Sequence, residues 1–333
     1  MKAKAVVFTD KLQVSFQDIE IPELGSDQVL IEVEYSWISI GTESSFLRKE
    51  RISGEVMYKE GDPSPFPHVP GYQKVGVIQA VGADVHGLAV GERVFTSLSM
   101  VMGMVFPYAG HVSLAVTHAS QVWKLPEGCD PITYSGLVLT QVGYNCGFRA
   151  PIQPGDFAVV IGDGLVGQWT AQTLLHRGAR VAVLGRHDER LGYLPKTIHG
   201  INTQKKSASD ALSAYNGIKI VVDTVGDMAT FRKIQPMMKY NSHFISAGFL
   251  GETGVLNIQS LREQEITLHC PSGWDKARMD ATLEGIEEGW LKTEPLITHR
   301  FPAEQADEAW KLILDKKKMC LGVVLVWKGS RLV

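Results

Sequence analysis

The chain has 333 residues, 44% hydrophobic and 21% charged, with a formal net charge of −3. Those values describe folded chain with apolar surface enough for two domains, and they argue against disorder and against a basic nucleic-acid-binding face. No apolar run approaches the ~18 residues that span a bilayer, and the opening "MKAKAVVFTDKLQV" alternates as a strand instead of forming a signal-peptide core.

A cytoplasmic location is the resulting expectation. The four cysteines, Cys129, Cys146, Cys270 and Cys320, are scattered without a CxxC spacing, so they read as buried thiols in a reducing compartment and not as zinc ligands.

In chain order, short Val/Ile-rich runs come first: "AKAVVF", "LQVSFQDIE", "QVLIEVEYS", "KVGVIQAVG", "ERVFTSL" and "HVSLAV". They predict β structure with few helices over the first 125 or so residues. The polar, then proline-rich "LRKERISGEVMYKEGDPSPFP" predicts a mobile surface loop. From Pro131 the period changes, and "PITYSGLVLTQVGYNCGFRA" predicts a buried helix with proline at its start.

"FAVVIGDGLVGQWTAQTLLHRGARVAVLGR" then reads as strand, glycine loop, helix and strand, one βαβ unit. Further strands are predicted at "IKIVVDTVG", "SHFISAGF" and "EITLHC", with a helix at "MATFRKIQPMM". Helices at "DKARMDATLEGIEEGW" and "AEQADEAWKLILDKKK" and strands at "PLITHRF" and "CLGVVLVW" close the chain. The fold class is therefore α/β, with a parallel sheet covered on both faces. The lysines 316–318 read as a solvated helix end.

The strongest motif is Gly162, Gly164 and Gly167, a G-x-G-x-x-G placed between strand and helix. The first glycine permits a tight turn, the second lets backbone approach a pyrophosphate, and the third allows close helix packing. Asp163, Leu165 and Val166 complete the loop and the helix start, where an anion is favoured. An NAD site places Asp or Glu at the end of the second strand. Gly185 stands there, followed by Arg186, His187 and Arg190. A missing carboxylate and nearby guanidinium groups suit a 2′-phosphate, so NADPH is preferred over NADH. The alternative is a solvated polar face, with Asp188 or Glu189 serving NAD.

With these residues, the early "YSWISIGTES", "PHVPGYQKVGVI" and "VGADVHGLAVGERV", and the later "LPEG", "VVDTVG", "LITHRF" and "CLGVVLVW", the chain resembles the medium-chain dehydrogenase/reductase superfamily. The resemblance implies a GroES-like catalytic domain over residues 1–150, completed by 291–333, and a Rossmann dinucleotide-binding domain over 151–290. It adds Thr224, Val225, Gly226, Ala247, Gly248 and Phe249 as cofactor contacts. Asp223 closes its strand and is not catalytic. A homo-oligomer, a dimer through an edge strand near "SHFISAGFL" or "EITLHC", is implied as well.

Zinc-dependent members carry a cysteine where Ser39 stands and His-Glu where Tyr72 and Gln73 stand, and the four-cysteine structural lobe is also absent. The chain is similar to a zinc-free branch that includes bacteriochlorophyllide dehydrogenase-like proteins, and no metal is expected. Without a Lewis acid, carbonyl reduction needs a proton donor beside the substrate oxygen. Tyr72 is the first candidate, at a turn expected to face the nicotinamide. Ser39, Thr42 and Gln73 are orienting or relay groups, Glu43 orients Thr42 or a water, and His68 lies near the cleft mouth.

His111 and His118 are not expected to converge on a metal. Residues 47–68, Trp37, "SMVMGMVFPY" and Trp274 would line an apolar substrate pocket. The leading expectation is a zinc-independent oxidoreductase interconverting a secondary alcohol and a ketone or aldehyde. The alternatives are an ene or quinone reductase acting on conjugated C=C, and a non-catalytic NADPH-binding protein. The partner is a small molecule, with no nucleic acid and no membrane.

Overall fold

The computed structural model describes every residue except 55, 216, 252, 253, 316 and 328–333. Lys316 of the lysine run thus lies outside the described residues. Two compact units divide the chain, Met1–Val138 with Ile297–Val333, and Leu139–Leu296.

In the first unit, Lys2–Asp10 and Gln13–Glu20 form an antiparallel ribbon. A seven-stranded sheet is built around Gln28–Trp37, where Val29, Ile31 and Val33 alternate inward as a half-buried strand requires. Lys74–Val81 pairs antiparallel on one side of it and Gly322–Val326 on the other, with Ile297–Pro302 added in parallel beyond. Residues from both ends of the chain therefore share one core, in which Phe8, Ile31, Val116, Trp310 and Leu325 cluster.

Two local expectations change. Residues 47–68, read as a mobile loop, carry a short antiparallel ladder between Arg51–Ser53 and Val56–Met57. "ISIGTES" coils into a helix, Ile40–Leu47, whose start is stabilised by Glu43 Oε1 accepting the Ser39 N–H at 2.7 Å.

The second unit holds six parallel strands in the spatial order His199–Asn202, Arg180–Gly185, Phe157–Ile161, Ile218–Asp223, Met238–Ser246 and Thr267–His269. Strand residues alternate between two cores. Phe157, Val159 and Ile161 join one, while Ala158 and Val160 join the other, so both faces are covered. The helix predicted from Pro131 begins as a 3-10 turn, Pro131–Tyr134, and continues as Leu137–Phe148. The short polar strand His199–Asn202 was not anticipated. Among the described residues no helix is long and apolar enough to cross a membrane.

Lys74 is fully buried, its Nζ donating to the carbonyls of Ser97 (2.5 Å) and Ala109 (3.1 Å). Burial draws its pKa from 10.5 down to about 7. Between those values the unfolded chain holds a proton that the folded chain has released, so this residue's contribution to stability rises with pH across that window. Urea unfolding of wild type and Lys74→Met at pH 6.5, 8 and 9.5 tests this. The stability difference, wild type minus variant, is expected to climb with pH; parallel profiles would refute a neutral buried amine.

Candidate functional site

The cofactor loop follows from close approach. Gly162 has φ +119°, and a Cβ on it would stand 2.3 Å from Thr224 Oγ1. A Cβ on Gly167 would stand 2.0 Å from the Gly162 carbonyl oxygen. At Gly164 a Cβ would meet open space. Gly164 also begins the helix Leu165–His176 without a side-chain cap, which leaves first-turn N–H groups at Leu165 and Val166 for an anion. The residues present therefore fit a dinucleotide.

The sheet order reverses between Phe157–Ile161 and Ile218–Asp223, where ligands of such sheets bind. At that point Thr224 Oγ1 donates to the Ile161 carbonyl at 2.9 Å. Asp223 Oδ1 accepts the N–H groups of Val225 and Gly226, each at 2.9 Å, and burial holds its carboxyl above the usual range. Its carbonyl accepts those of Ala247 (2.9 Å) and Gly248 (3.0 Å), so Asp223 builds the turn. Phe249 follows, half-buried.

At the strand end, Arg186 and His187 are exposed and Arg190 is partly so. Asp163 is not left facing solvent. Its Oδ2 accepts the backbone N–H of Arg186 (2.8 Å) and of His187 (2.9 Å) and meets His187 Nδ1 at 2.9 Å. Burial opposes ionisation here, but those hydrogen bonds outweigh it and hold the carboxyl below its usual range. Asp188, the alternative acid, is engaged by Lys205 and Asn202.

In the first unit the structure brings together Tyr72, Ser39, Thr42 and Glu43. The Tyr72 hydroxyl donates to Ser39 Oγ at 2.6 Å and also meets the Thr42 side chain. Ser39 precedes its helix without spending its hydroxyl on a cap. Burial pushes the Tyr72 phenol up to about 12, so it stays protonated at neutral pH.

Glu43 does not orient Thr42 as anticipated. One of its oxygens takes the Ser39 N–H, and the other lies 2.9 Å from His111 Nε2. His111 Nδ1 is 2.8 Å from Ser36 Oγ, which accepts the Trp327 indole N–H at 2.9 Å. Both ring nitrogens of His111 are thus paired, Nε2–H donating to the carboxylate and Nδ1 meeting the Ser36 hydroxyl. His111 escaped sequence reasoning because its partner is 68 positions away.

Other candidates fall elsewhere. The buried Gln73 amide donates to the Trp37 carbonyl at 3.3 Å. His68 is not at a cleft mouth. It is buried among Phe8, Phe46, Phe66 and Phe106, with Nδ1 2.7 Å from the Pro65 carbonyl, and burial lowers its pKa to about 4. Trp37, expected to line a pocket, is fully buried with its ring against Gly136. Met102, Val105 and Tyr108 are exposed. His118 is exposed beside Asp27, at 3.1 Å.

A tetrahedral zinc needs thiolate, imidazole or carboxylate donors. Serine, phenol and amide at 39, 72 and 73 do not fit that set, and among the described residues no three His, Cys, Asp or Glu side chains converge.

Residues 25–127 match the alcohol dehydrogenase GroES-like domain. The chain is 23% identical over 344 residues to 2-desacetyl-2-hydroxyethyl bacteriochlorophyllide A dehydrogenase of Rhodobacter capsulatus, covering 99% of this chain and 100% of that protein. It is 25% identical over 313 residues to human quinone oxidoreductase, covering 89% and 88%.

Among solved structures, an alcohol dehydrogenase of Escherichia coli CFT073 complexed with NADH superposes with a TM-score of 0.84 at 21% identity, over 98% of this chain and 99% of that one. A candidate zinc-binding dehydrogenase of Sinorhizobium meliloti 1021 bound to NADP gives 0.82 at 18%, over 98% and 99%. With this domain match, these length-spanning relatives and this fold, the chain is similar to the medium-chain dehydrogenase/reductase superfamily, and the similarity supports an oxidoreductase.

Proposed function

We propose that the protein is a zinc-independent, NADPH-preferring reductase that interconverts a secondary alcohol and a ketone or aldehyde. The observation that carries this reading is the Tyr72 hydroxyl, held 2.6 Å from Ser39 Oγ and kept protonated by burial, where zinc-dependent relatives place metal ligands. The nicotinamide supplies or accepts the hydride when bound. Tyr72 gives its proton to the oxygen that gains charge as the carbonyl carbon is reduced, and water returns the proton to the phenolate. Ser39 and Thr42 orient the phenol. Gly185, with Arg186, His187 and Arg190 after it, supports the NADPH preference.

Similarity to a quinone oxidoreductase supports a second reading, hydride delivery to a conjugated C=C. That chemistry asks less of the proton donor. Product analysis on an enone separates the two, because carbonyl reduction yields the allylic alcohol and C=C reduction the saturated ketone.

Among the described residues Thr267–His269 ends the parallel sheet, with Leu268 exposed, which supports a homodimer through it; the "SHFISAGFL" strand, the other edge anticipated, lies inside the sheet. Four scattered cysteines without a CxxC spacing suit a cytoplasmic location; Cys146 and Cys320 are buried as anticipated, whereas Cys129 is half-buried and Cys270 exposed. Light scattering is expected to give twice the 36.6 kDa chain mass, and a monomer would remove the dimer.

Tyr72→Phe is expected to lower kcat on a ketone by about a hundredfold, as loss of a general acid does, with smaller losses for Ser39→Ala. Unchanged kcat would remove Tyr72 as donor. With a phenol pKa near 12, the rate is expected to show no alkaline limb from this group below about pH 11; a limb near pH 10 that disappears in Tyr72→Phe would contradict the burial argument.

A further inference from the structure

Asp163 lies in the glycine loop, yet its carboxylate is committed to another part of the chain. One oxygen carries three donors, the Arg186 N–H, the His187 N–H and His187 Nδ1, at 2.8, 2.9 and 2.9 Å. The other lies 3.6 Å from the Arg190 guanidinium. Only 6% of the residue is exposed. A second tie reaches the same turn from the helix, where the buried Gln168 amide donates to the Arg190 carbonyl at 2.8 Å.

Gly185 explains why this arrangement is exclusive. A Cβ there would fall 2.6 Å from both the Cβ and Oδ2 of Asp163. A side chain at the strand end and the Asp163 clamp cannot coexist in this geometry. The chain thus carries its carboxylate in the loop, turned onto protein donors, at the cost of one at residue 185 that would reach ribose hydroxyls.

We propose that Asp163 is a positioning residue that sets cofactor choice: it clamps the Arg186–His187 turn to the glycine loop and keeps position 185 empty, so the exposed Arg186 is presented to a 2′-phosphate. This rests on the NADPH reading above. The clamp uses the backbone of Arg186 and not its guanidinium. Charge-assisted hydrogen bonds fix the turn before the cofactor arrives, which lowers the ordering cost of gripping the phosphate. NADH has no 2′-phosphate and gains less from that order.

The test is titration of the full-length protein with NADPH and NADH, followed by nicotinamide fluorescence, for wild type, Asp163→Ala, Asp163→Asn and the double variant Asp163→Gly with Gly185→Asp. The NADPH-to-NADH affinity ratio is expected to fall about tenfold in Asp163→Ala and about fourfold in Asp163→Asn, which keeps an oxygen acceptor for the turn. In the double variant, with the carboxylate moved to the strand end, the ratio is expected to drop below one.

A ratio within twofold of wild type in Asp163→Ala, or a higher one, overturns the clamp. Should thermal melting show Asp163→Ala unfolded, the near-isosteric Asp163→Asn decides by the same criterion. A wild-type ratio below one refutes the NADPH reading instead, since the clamp is judged on the change in ratio and not on its starting value.

Discussion

A carboxylate taken out of water costs on the order of several kcal/mol unless partners replace its hydration. Glu43, 2% exposed, meets that demand with the Ser39 N–H and the His111 imidazole, and much of the first unit's site follows from doing so. The first bond anchors the start of the helix Ile40–Leu47 and fixes Ser39, so its hydroxyl is available to Tyr72. The second places His111 against the Gly71 turn, where φ is +88° and a Cβ would stand 2.8 Å from Nε2. Through Ser36 and the Trp327 indole the same chain reaches the carboxy-terminal strand region, 291 positions on. Tyr72 is therefore positioned by a polar network that links distant parts of the chain.

The second unit is governed by a different constraint, contact between backbones. Gly162 and Gly167 touch where any side chain would intrude, and Thr224 closes over the turn from the adjacent strand. That packing sets the loop at the reversal of the sheet. Asp223 then uses one carboxylate oxygen and its carbonyl to shape the neighbouring turn up to Gly248. Both loops owe their shape to small residues and backbone acceptors, which suits a site that must admit phosphates closely.

Features set by local pattern were legible in the sequence. The βαβ unit was readable because "FAVVI" and "RVAVLG" are apolar strands and the glycines between them have fixed spacing. Tyr72 and Ser39 could be singled out because the resemblance puts them where zinc-dependent members carry metal ligands. What escaped was long-range or carried weak local signal. The pairing of Glu43 with His111 and the reach of Asp163 to the Arg186–His187 turn depend on tertiary placement. His68 and Trp37 looked like site residues but are core, because an imidazole with one backbone partner and an indole against Gly136 can be buried. The helix at Ile40 contains Ile, Gly and Thr, poor helix formers whose coiling rests on Glu43.

Together these features describe a fold whose first unit sets hydroxyl groups beside a buried acid–imidazole pair, the site proposed above to work without a metal. The most direct test of that account is metal analysis of the purified protein, combined with NADPH-dependent carbonyl reduction before and after exhaustive chelation. Negligible zinc and undiminished turnover are the expected result. Stoichiometric zinc, with activity lost on its removal and restored on its return, would contradict the account and reassign the chemistry of Tyr72 and Ser39.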